Sequence, residues 1–363
     1  MEQKLNISGM IILLAAVLTA CSHDDVKGTG DNPPCAIMFA VNEDATTRTA
    51  PNTLTLDGLG TNEQSLKSEG FGVFACFTGI HPYISTSITC NLMWNQQVTY
   101  QNTQSVWAYA PLAYWPTTDY DDEVSYATFY AYAPYSDATD PYGCIVDISH
   151  PGETGDPWLT YQLGGTMYAD GTNGWKTKQA DLLYDMQKDQ QRPMPPLASK
   201  VNFSFKHALS CVGDRITVTC SDALQTKLKL LYTSSNVTLT LNKLRLDYLL
   251  TRKGRLVLNS SIQPNWQPVE SGDARVHRLL VFNPDQIIAT ATSASVCVLT
   301  DYAVNDQGIF YIPVEVGSNV QTVTATADYT LSTGVTGQIS TTINLSTISQ
   351  AGNNRNLNLV LDF

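Results

Sequence analysis

Few side chains in this chain are placed to do chemistry. There are five histidines. His23, His81, His150 and His277 stand isolated, and His207 lies three residues before Ser210 in Phe205-Lys206-His207-Ala208-Leu209-Ser210. A Ser–His pair works as a nucleophile and base only with a third orienting group and an oxyanion hole. Neither is signalled, so His207 reads as a structural imidazole. No G-x-S-x-G, H-E-x-x-H or phosphate-binding glycine loop occurs. Asp121, Asp122 and Glu123 form an acidic loop cluster. Calcium binding is the sharper reading of it, and a solvated loop the plainer one. The eight cysteines include no C-x-x-C pair, which leaves a zinc site unsupported. The expectation is a non-enzymatic protein with no cofactor and no metal.

Cys21 is the exception. It follows Leu18-Thr19-Ala20 at the end of the apolar run 11–20, with Lys4 supplying positive charge upstream. That run is far below the roughly 20 residues a helix needs to span a bilayer. With small residues before the break, it reads as a cleaved secretory signal. A cysteine directly after Leu-Thr-Ala resembles the bacterial lipobox. Cleavage then falls between Ala20 and Cys21, and the Cys21 thiol takes a diacylglycerol. Each buried acyl CH₂ contributes about 0.8 kcal/mol, so several chains, palmitate among them, hold a soluble domain at a membrane. Ser22-His23-Asp24-Asp25 follows. It resembles the surface-export signal of Bacteroides lipoproteins, a Ser before acidic residues, with His23 departing from the pattern. Its plainer reading is a solvated linker.

Removing residues 1–20 from the 363 leaves a mature chain of 343, long for one domain and comfortable for two. A net charge of −12 argues against nucleic acid or an anionic membrane surface as an electrostatic partner. With Cys21 acylated, Cys35, Cys76, Cys90, Cys144, Cys211, Cys220 and Cys297 remain. The odd number leaves at least one thiol free or paired between chains. Cys76/Cys90 and Cys211/Cys220 are close enough in sequence for local hairpins to join them; a core role is the default for the others.

The elements that must position these residues read as strands. Residues 22–34 are polar with Gly28, Gly30, Pro33 and Pro34, a tether. Residues 36–41 (AIMFAV) form the first candidate strand. Further runs at 71–77, 125–133, 201–205, 216–220 and 237–246 are rich in aromatic and β-branched residues, with Gly, Pro, Asn and Asp between them. Val201, Phe203 and Phe205 share a face. Val237, Leu239 and Leu241 do too, but Leu244 and Leu246 are out of phase, which predicts a bulge near Asn242-Lys243. Residues 249–258 read as a hairpin turning at Lys253-Gly254, and 323–331 with 339–345 as a long hairpin with one wet face. Residues 181–188 are the one stretch with a hint of helical turn. Many short strands predict all-β antiparallel sandwiches. The Pro-rich stretch 192–196 divides them, giving domains at 35–196 and 197–363.

The twelve aromatics between Trp94 and Tyr135 admit two uses. Exposed, they would stack on sugar rings, making this a surface glycan-binding lipoprotein. Buried, they would fill a sandwich, and the alternation through Tyr126–Tyr132 favours packing.

The order of motifs then becomes recognisable. A lipobox precedes Thr47-Arg48-Thr49 after the first strand, then Phe71-Gly72-Val73-Phe74-Ala75 and Trp94-Asn95-Gln96-Gln97-Val98-Thr99-Tyr100. Trp107-Ala108-Tyr109-Ala110-Pro111 leads to Tyr114-Trp115-Pro116, Phe129-Tyr130-Ala131-Tyr132-Ala133-Pro134-Tyr135, Asp181-Leu182-Leu183-Tyr184 and the 201–210 run. This resembles the fimbrillin family, fimbrillin-like lipoproteins of Bacteroides that build type V pili, over most of residues 21–260. The C-terminal third matches in general character. The resemblance implies two tandem transthyretin-like β-sandwiches exported to the outer membrane surface. In stalk subunits of that family a protease cuts after an arginine near the first strand, and another subunit's C-terminal strand fills the groove this opens. Here that implies cleavage between Arg48 and Thr49, and a donor strand carrying Leu357, Leu359, Leu361 and Phe363 on one face. The implied partners are other pilin subunits, the outer membrane through the lipid, and a host or bacterial surface ligand. The plainer alternatives are an ordinary exposed Arg48 and a tail that completes its own domain.

Overall fold

The computed structural model describes residues 35–42, 54–55, 64–116, 125–140, 143–163, 181–193, 200–231, 237–269, 275–299, 310–313, 320–345, 351 and 354–362. The fold is all-β, with two helices among the described residues. Its centre is a six-stranded sheet in the order Lys206–His207, Leu183–Gln191, Tyr126–Ala133, Phe71–Gly79, Met93–Gln101, Val106–Ala108. Each pair in it is antiparallel.

The sequences FGVFACFTG and YATFYAYA lack polar alternation because this sheet is covered on both faces. Phe71, Val73, Phe129 and Ala131 face a core with Ile37, Phe39, Trp107, Trp115, Val201, Phe203 and Phe205. Phe74, Cys76, Tyr130 and Tyr132 face the opposite core, with Leu159, Tyr161, Tyr184, Leu256 and Trp266. The layer over that second face is an antiparallel sheet of Asn265–Gln267, Lys253–Val257, Trp158–Gln162 and Ile145–Ile148.

A third core lies between two further sheets. Leu209–Cys220 anchors one, pairing with Cys297–Val298, Phe310–Pro313 and Asn354–Leu361. Thr238–Thr251 anchors the other, between Arg275–Phe282 and Thr322–Leu331, with Gln286–Thr290 also on it. Val212, Ile216 and Val218 meet Leu239, Leu241, Leu244, Leu246 and Tyr248 there. The register of Thr238–Thr251 shifts between Leu241 and Lys243, where the sequence changes phase. Thr322–Leu331 and Thr336–Asn344 form the long hairpin expected, the second strand largely exposed. At its end Tyr329 covers Gly337, its ring lying where a Cβ would sit.

Two local expectations are corrected. Residues 249–258 are not a hairpin. The chain leaves one sheet at Thr251 and enters another at Lys253, where Lys253–Val257 pairs with Trp158–Gln162. The stretch 181–188 is not helical either. Leu183–Gln191 is a strand, because Leu183 and Tyr184 are needed on opposite faces of the doubly covered sheet. A helix forms instead at Asp222–Leu231, where Leu224 and Leu228 are one turn apart and buried. Ser221 Oγ caps it by accepting from Leu224 N–H at 2.9 Å. Hydrogen bonding crosses residue 196, the expected domain boundary, at three strand pairs: Phe39–Val41 with Val201–Phe203, Leu183–Gln191 with Lys206–His207, and Trp158–Gln162 with Lys253–Val257.

Candidate strand-exchange site

The first strand is held on both edges. On one, Trp115 N–H donates to Cys35 O at 2.9 Å and Ile37 N–H to Ala113 O at 3.0 Å. On the other, Phe39–Val41 runs parallel to Val201–Phe203. Val201 N–H donates to Met38 O at 2.8 Å and Asn42 N–H to Phe203 O at 2.9 Å. Alternation sends Ile37 and Phe39 inward, 0% and 1% exposed. The Phe39 ring stacks on Phe203 at 5.7 Å and meets Phe71, Phe129 and Tyr109 at 6.3, 6.1 and 5.4 Å. Tyr109 Oη donates to Ile37 O at 2.8 Å. Burial pushes the Tyr109 phenol up to about 12, so it stays protonated and keeps that bond across the physiological range. The strand is thus an apolar plug seated by backbone bonds. Arg48 and Thr49 lie outside the described residues, as do Ala20 and Cys21. Arg48 follows Asn42 by six residues.

The C-terminal strand Asn354–Leu361 runs parallel to Leu209–Cys220, with Ile216, Val218 and Cys220 opposite Leu357, Leu359 and Leu361. Those three leucines are buried in the third core, and Val360 between them is exposed. Ser221 N–H donates to Leu361 O at 2.9 Å, and Ser221 Oγ to Asp362 Oδ1 at 2.9 Å. Among the described residues Leu209–Cys220 is its one strand partner, so its other edge has no strand. A cleft of about 220 Å³ runs beside that edge, lined by Leu244, Ala325, Ile339, Leu359 and Leu361 among others. Phe363 lies outside the described residues. In this chain the tail completes its own sheet.

The aromatics of the 94–135 region are mostly interior. Trp107, Tyr109, Trp115, Phe129, Tyr130 and Tyr132 are buried, Trp94 and Tyr114 exposed, and Tyr120 is outside the described residues. Trp94 Nε1–H donates to Ser149 O at 2.8 Å and lines a cleft of about 230 Å³ with His150, Glu153 and Trp158.

His207 Nδ1 lies 2.6 Å from Asp181 Oδ2, both side chains buried, beside the strand crossing at residue 206. Asp121, Asp122 and Glu123 are outside the described residues. Cys211 and Cys220 belong to one strand, Leu209–Cys220, which corrects the hairpin expected to join them. Nine residues of strand hold them on the order of 30 Å apart, far beyond a disulfide's reach. Cys76 and Cys90 pack against the same core. Sequence reading missed Asp156, which accepts from Tyr130 Oη at 3.1 Å and also from Tyr83 and Ser85. No pattern in the sequence ties residue 156 to these three; the fold alone gathers them. Among the described residues no helix is long and apolar enough to cross a membrane.

Comparisons with known proteins follow the same lines. A family model described as fimbrillin-like matches residues 61–362. Among solved structures, a protein of Bacteroides uniformis named for cell adhesion is 13% identical, with 91% of this chain and 93% of that one covered at a TM-score of 0.38. A Bacteroides ovatus protein, also named for cell adhesion, has the same identity and TM-score, with 90% and 91% covered. A fimbrial protein of Bacteroides ovatus is 13% identical at a TM-score of 0.30, covering 92% of this chain and 50% of that one. No curated protein matches. With the fimbrillin-like model spanning 61–362, the chain belongs to the fimbrillin-like family.

Proposed function

We propose that this chain is a structural and adhesive subunit of a surface fimbria, exported as a lipoprotein through Cys21 and assembled by strand exchange. Family membership supports the fimbrial part. One observation carries the assembly part: the 35–42 strand fills a slot with two fully buried apolar side chains, and it ends six residues before Arg48. Cleavage between Arg48 and Thr49 puts the whole strand in the released peptide. Its departure would uncover Phe71, Phe129 and Phe203, along with the backbone groups of Ala113, Trp115, Val201 and Phe203. Apolar side chains at every second position, on a strand with unpaired backbone, are what such a slot accepts. Leu357, Leu359, Leu361 and Phe363 of another subunit have that spacing. Filling the slot also removes an edge that would otherwise drive aggregation.

The test is the N-terminus of subunits in isolated surface filaments. A start at Thr49 is expected for polymerised subunits, and a start at acylated Cys21 for an anchor or a free lipoprotein. Arg48→Ala is expected to block maturation and assembly, and deletion of residues 356–363 to block polymerisation. Unchanged filaments in both would overturn strand exchange.

The second reading, a glycan-binding surface lipoprotein, rests on the cleft between Trp94 and Trp158 with Glu153 at its wall. Binding on a glycan array that Trp94→Ala abolishes would favour it.

A further inference from the structure

Cys76 lies on the Phe71–Gly79 strand, its side chain fully buried in the core that also holds Tyr130 and Tyr161. Cys90 is half-buried and packs on the same core. The backbone around them is clamped. Leu92 N–H donates to Ala75 O at 3.1 Å, Phe77 N–H to Asn91 Oδ1 at 2.8 Å, and Asn91 Nδ2 to Phe77 O at 3.3 Å. Gly155 N–H donates to Ile88 O at 2.7 Å on the far side of the loop. These bonds hold the segments carrying the two cysteines side by side, and both side chains pack on the same core.

We propose that Cys76 and Cys90 form a disulfide in the exported protein by exchange with a protein disulfide of an extracytoplasmic thiol oxidase. The inference rests on the export reading above for its oxidising compartment, and on the clamped backbone and the shared core for its geometry. Cys90, the more accessible thiol, attacks the oxidase disulfide as its thiolate and releases one oxidase thiol, giving a mixed disulfide. The Cys76 thiol then gives up its proton as it attacks Cys90 Sγ, and the second oxidase sulfur leaves and takes up a proton. One Sγ–Sγ bond forms and one is broken. Two electrons and two protons pass from the cysteine pair to the oxidase. The order follows from the setting: the neighbouring Cys90 side chain and burial both hold the Cys76 thiol protonated well above the usual range. The product ties off residues 77–89, the loop that carries exposed Ile80 and Ile84 and whose Tyr83 and Ser85 hold Asp156. Closing that loop restricts the unfolded chain and stabilises the loop's seat against the core.

The experiment has two arms. In the first, purified residues 22–363 with reduced thiols are incubated with oxidised glutathione, alkylated and digested with chymotrypsin. Chymotryptic peptides containing Cys76 and Cys90 are expected to appear joined, with a higher thermal midpoint. Cys76→Ser is expected to abolish the joined species and leave Cys90 as a glutathione adduct. Recovery of both cysteines alkylated after oxidation would overturn the pairing. In the second arm, protein from the cell surface is trapped without reductant and digested in the same way, and Cys21 is checked for acylation. Joined peptides on an acylated chain support the proposal. Free Cys76 and Cys90 on an acylated chain overturn it and leave export standing. A chain without the acyl group overturns the export reading alone, and the first arm then decides the pairing.

Discussion

Asp185 sits buried near the junction of the two halves, accepting from Ser204 N–H at 2.7 Å and Gln187 Nε2–H at 2.8 Å. Burial outweighs those bonds and holds its carboxyl above the usual range. Folding therefore favours the protonated form. Its contribution to stability is fully present below the unfolded carboxyl value of about 3.9 and is lost as pH rises through the folded value. Asp185→Asn removes this titration. The difference in urea midpoint between wild type and Asp185→Asn is expected to move in favour of the wild type as pH falls from neutral, with other carboxyls cancelling in the comparison. A flat difference would remove the argument. At Asp181 the expectation is larger and independent of this titration. Asp181→Ala leaves the His207 ring without its 2.6 Å partner in a buried site, at a cost of about 1–3 kcal/mol on urea unfolding. None of this was legible in the sequence, where Asp181 and Asp185 sat in a stretch read as a helical turn.

At the scale of elements, the sequence was most legible where one face of a strand is wet. The 323–331 and 339–345 alternation and the phase slip at Asn242-Lys243 both correspond to strand register. Legibility failed where both faces are covered. DLLYDMQK reads as a short helical turn because no polar face marks the strand period, yet Leu183 and Tyr184 serve two different cores. The 249–258 turn failed for a related reason: an extended chain that changes sheets looks locally like one that reverses. The AIMFAV strand was visible as a strand, but its partners, 162 residues away and around residue 113, were not. Its energetic weight sets a prediction. Phe39→Ala empties a site ringed by four aromatics and is expected to cost about 3–5 kcal/mol on urea unfolding of the uncleaved chain. If the chain is cleaved at Arg48 as proposed, the same substitution is expected to cost nothing, because the residue would leave with the strand. Gly70 supports the same sheet. Its φ of +70° and a would-be Cβ 2.6 Å from Val98 O leave no room for a side chain. Gly70→Ala is expected to destabilise by about 1–3 kcal/mol from backbone strain, with any rearrangement of Val98 adding to it.

At the scale of the whole molecule, the three strand pairs that cross residue 196 determine how the halves depend on each other. The Trp158–Gln162 strand takes its neighbour Lys253–Val257 from beyond that point, and Trp266 Nε1–H donates to Ala208 O at 3.0 Å behind it. Leu256, Leu258 and Trp266 bury their side chains against Leu159, Tyr161 and Tyr184 in one core. A chain cut at residue 196 and separated would split that core and expose the strand edges of all three pairs, each of which costs unpaired backbone groups. Fragments 35–196 and 197–363, co-expressed with a tag on one, are therefore expected to co-purify in equal amounts and to unfold in one transition. Each alone is expected to aggregate or to lose the Trp158–Gln162 strand's hydrogen-exchange protection. Two monomeric fragments, each with its own cooperative transition and with that protection intact, would show that the crossing strands join the halves without being needed by either. The outcome bears on assembly: if the halves are coupled, release of the 35–42 strand, which itself bridges to Val201–Phe203, would be felt in both halves, and a donor strand that refills the slot would restore both together.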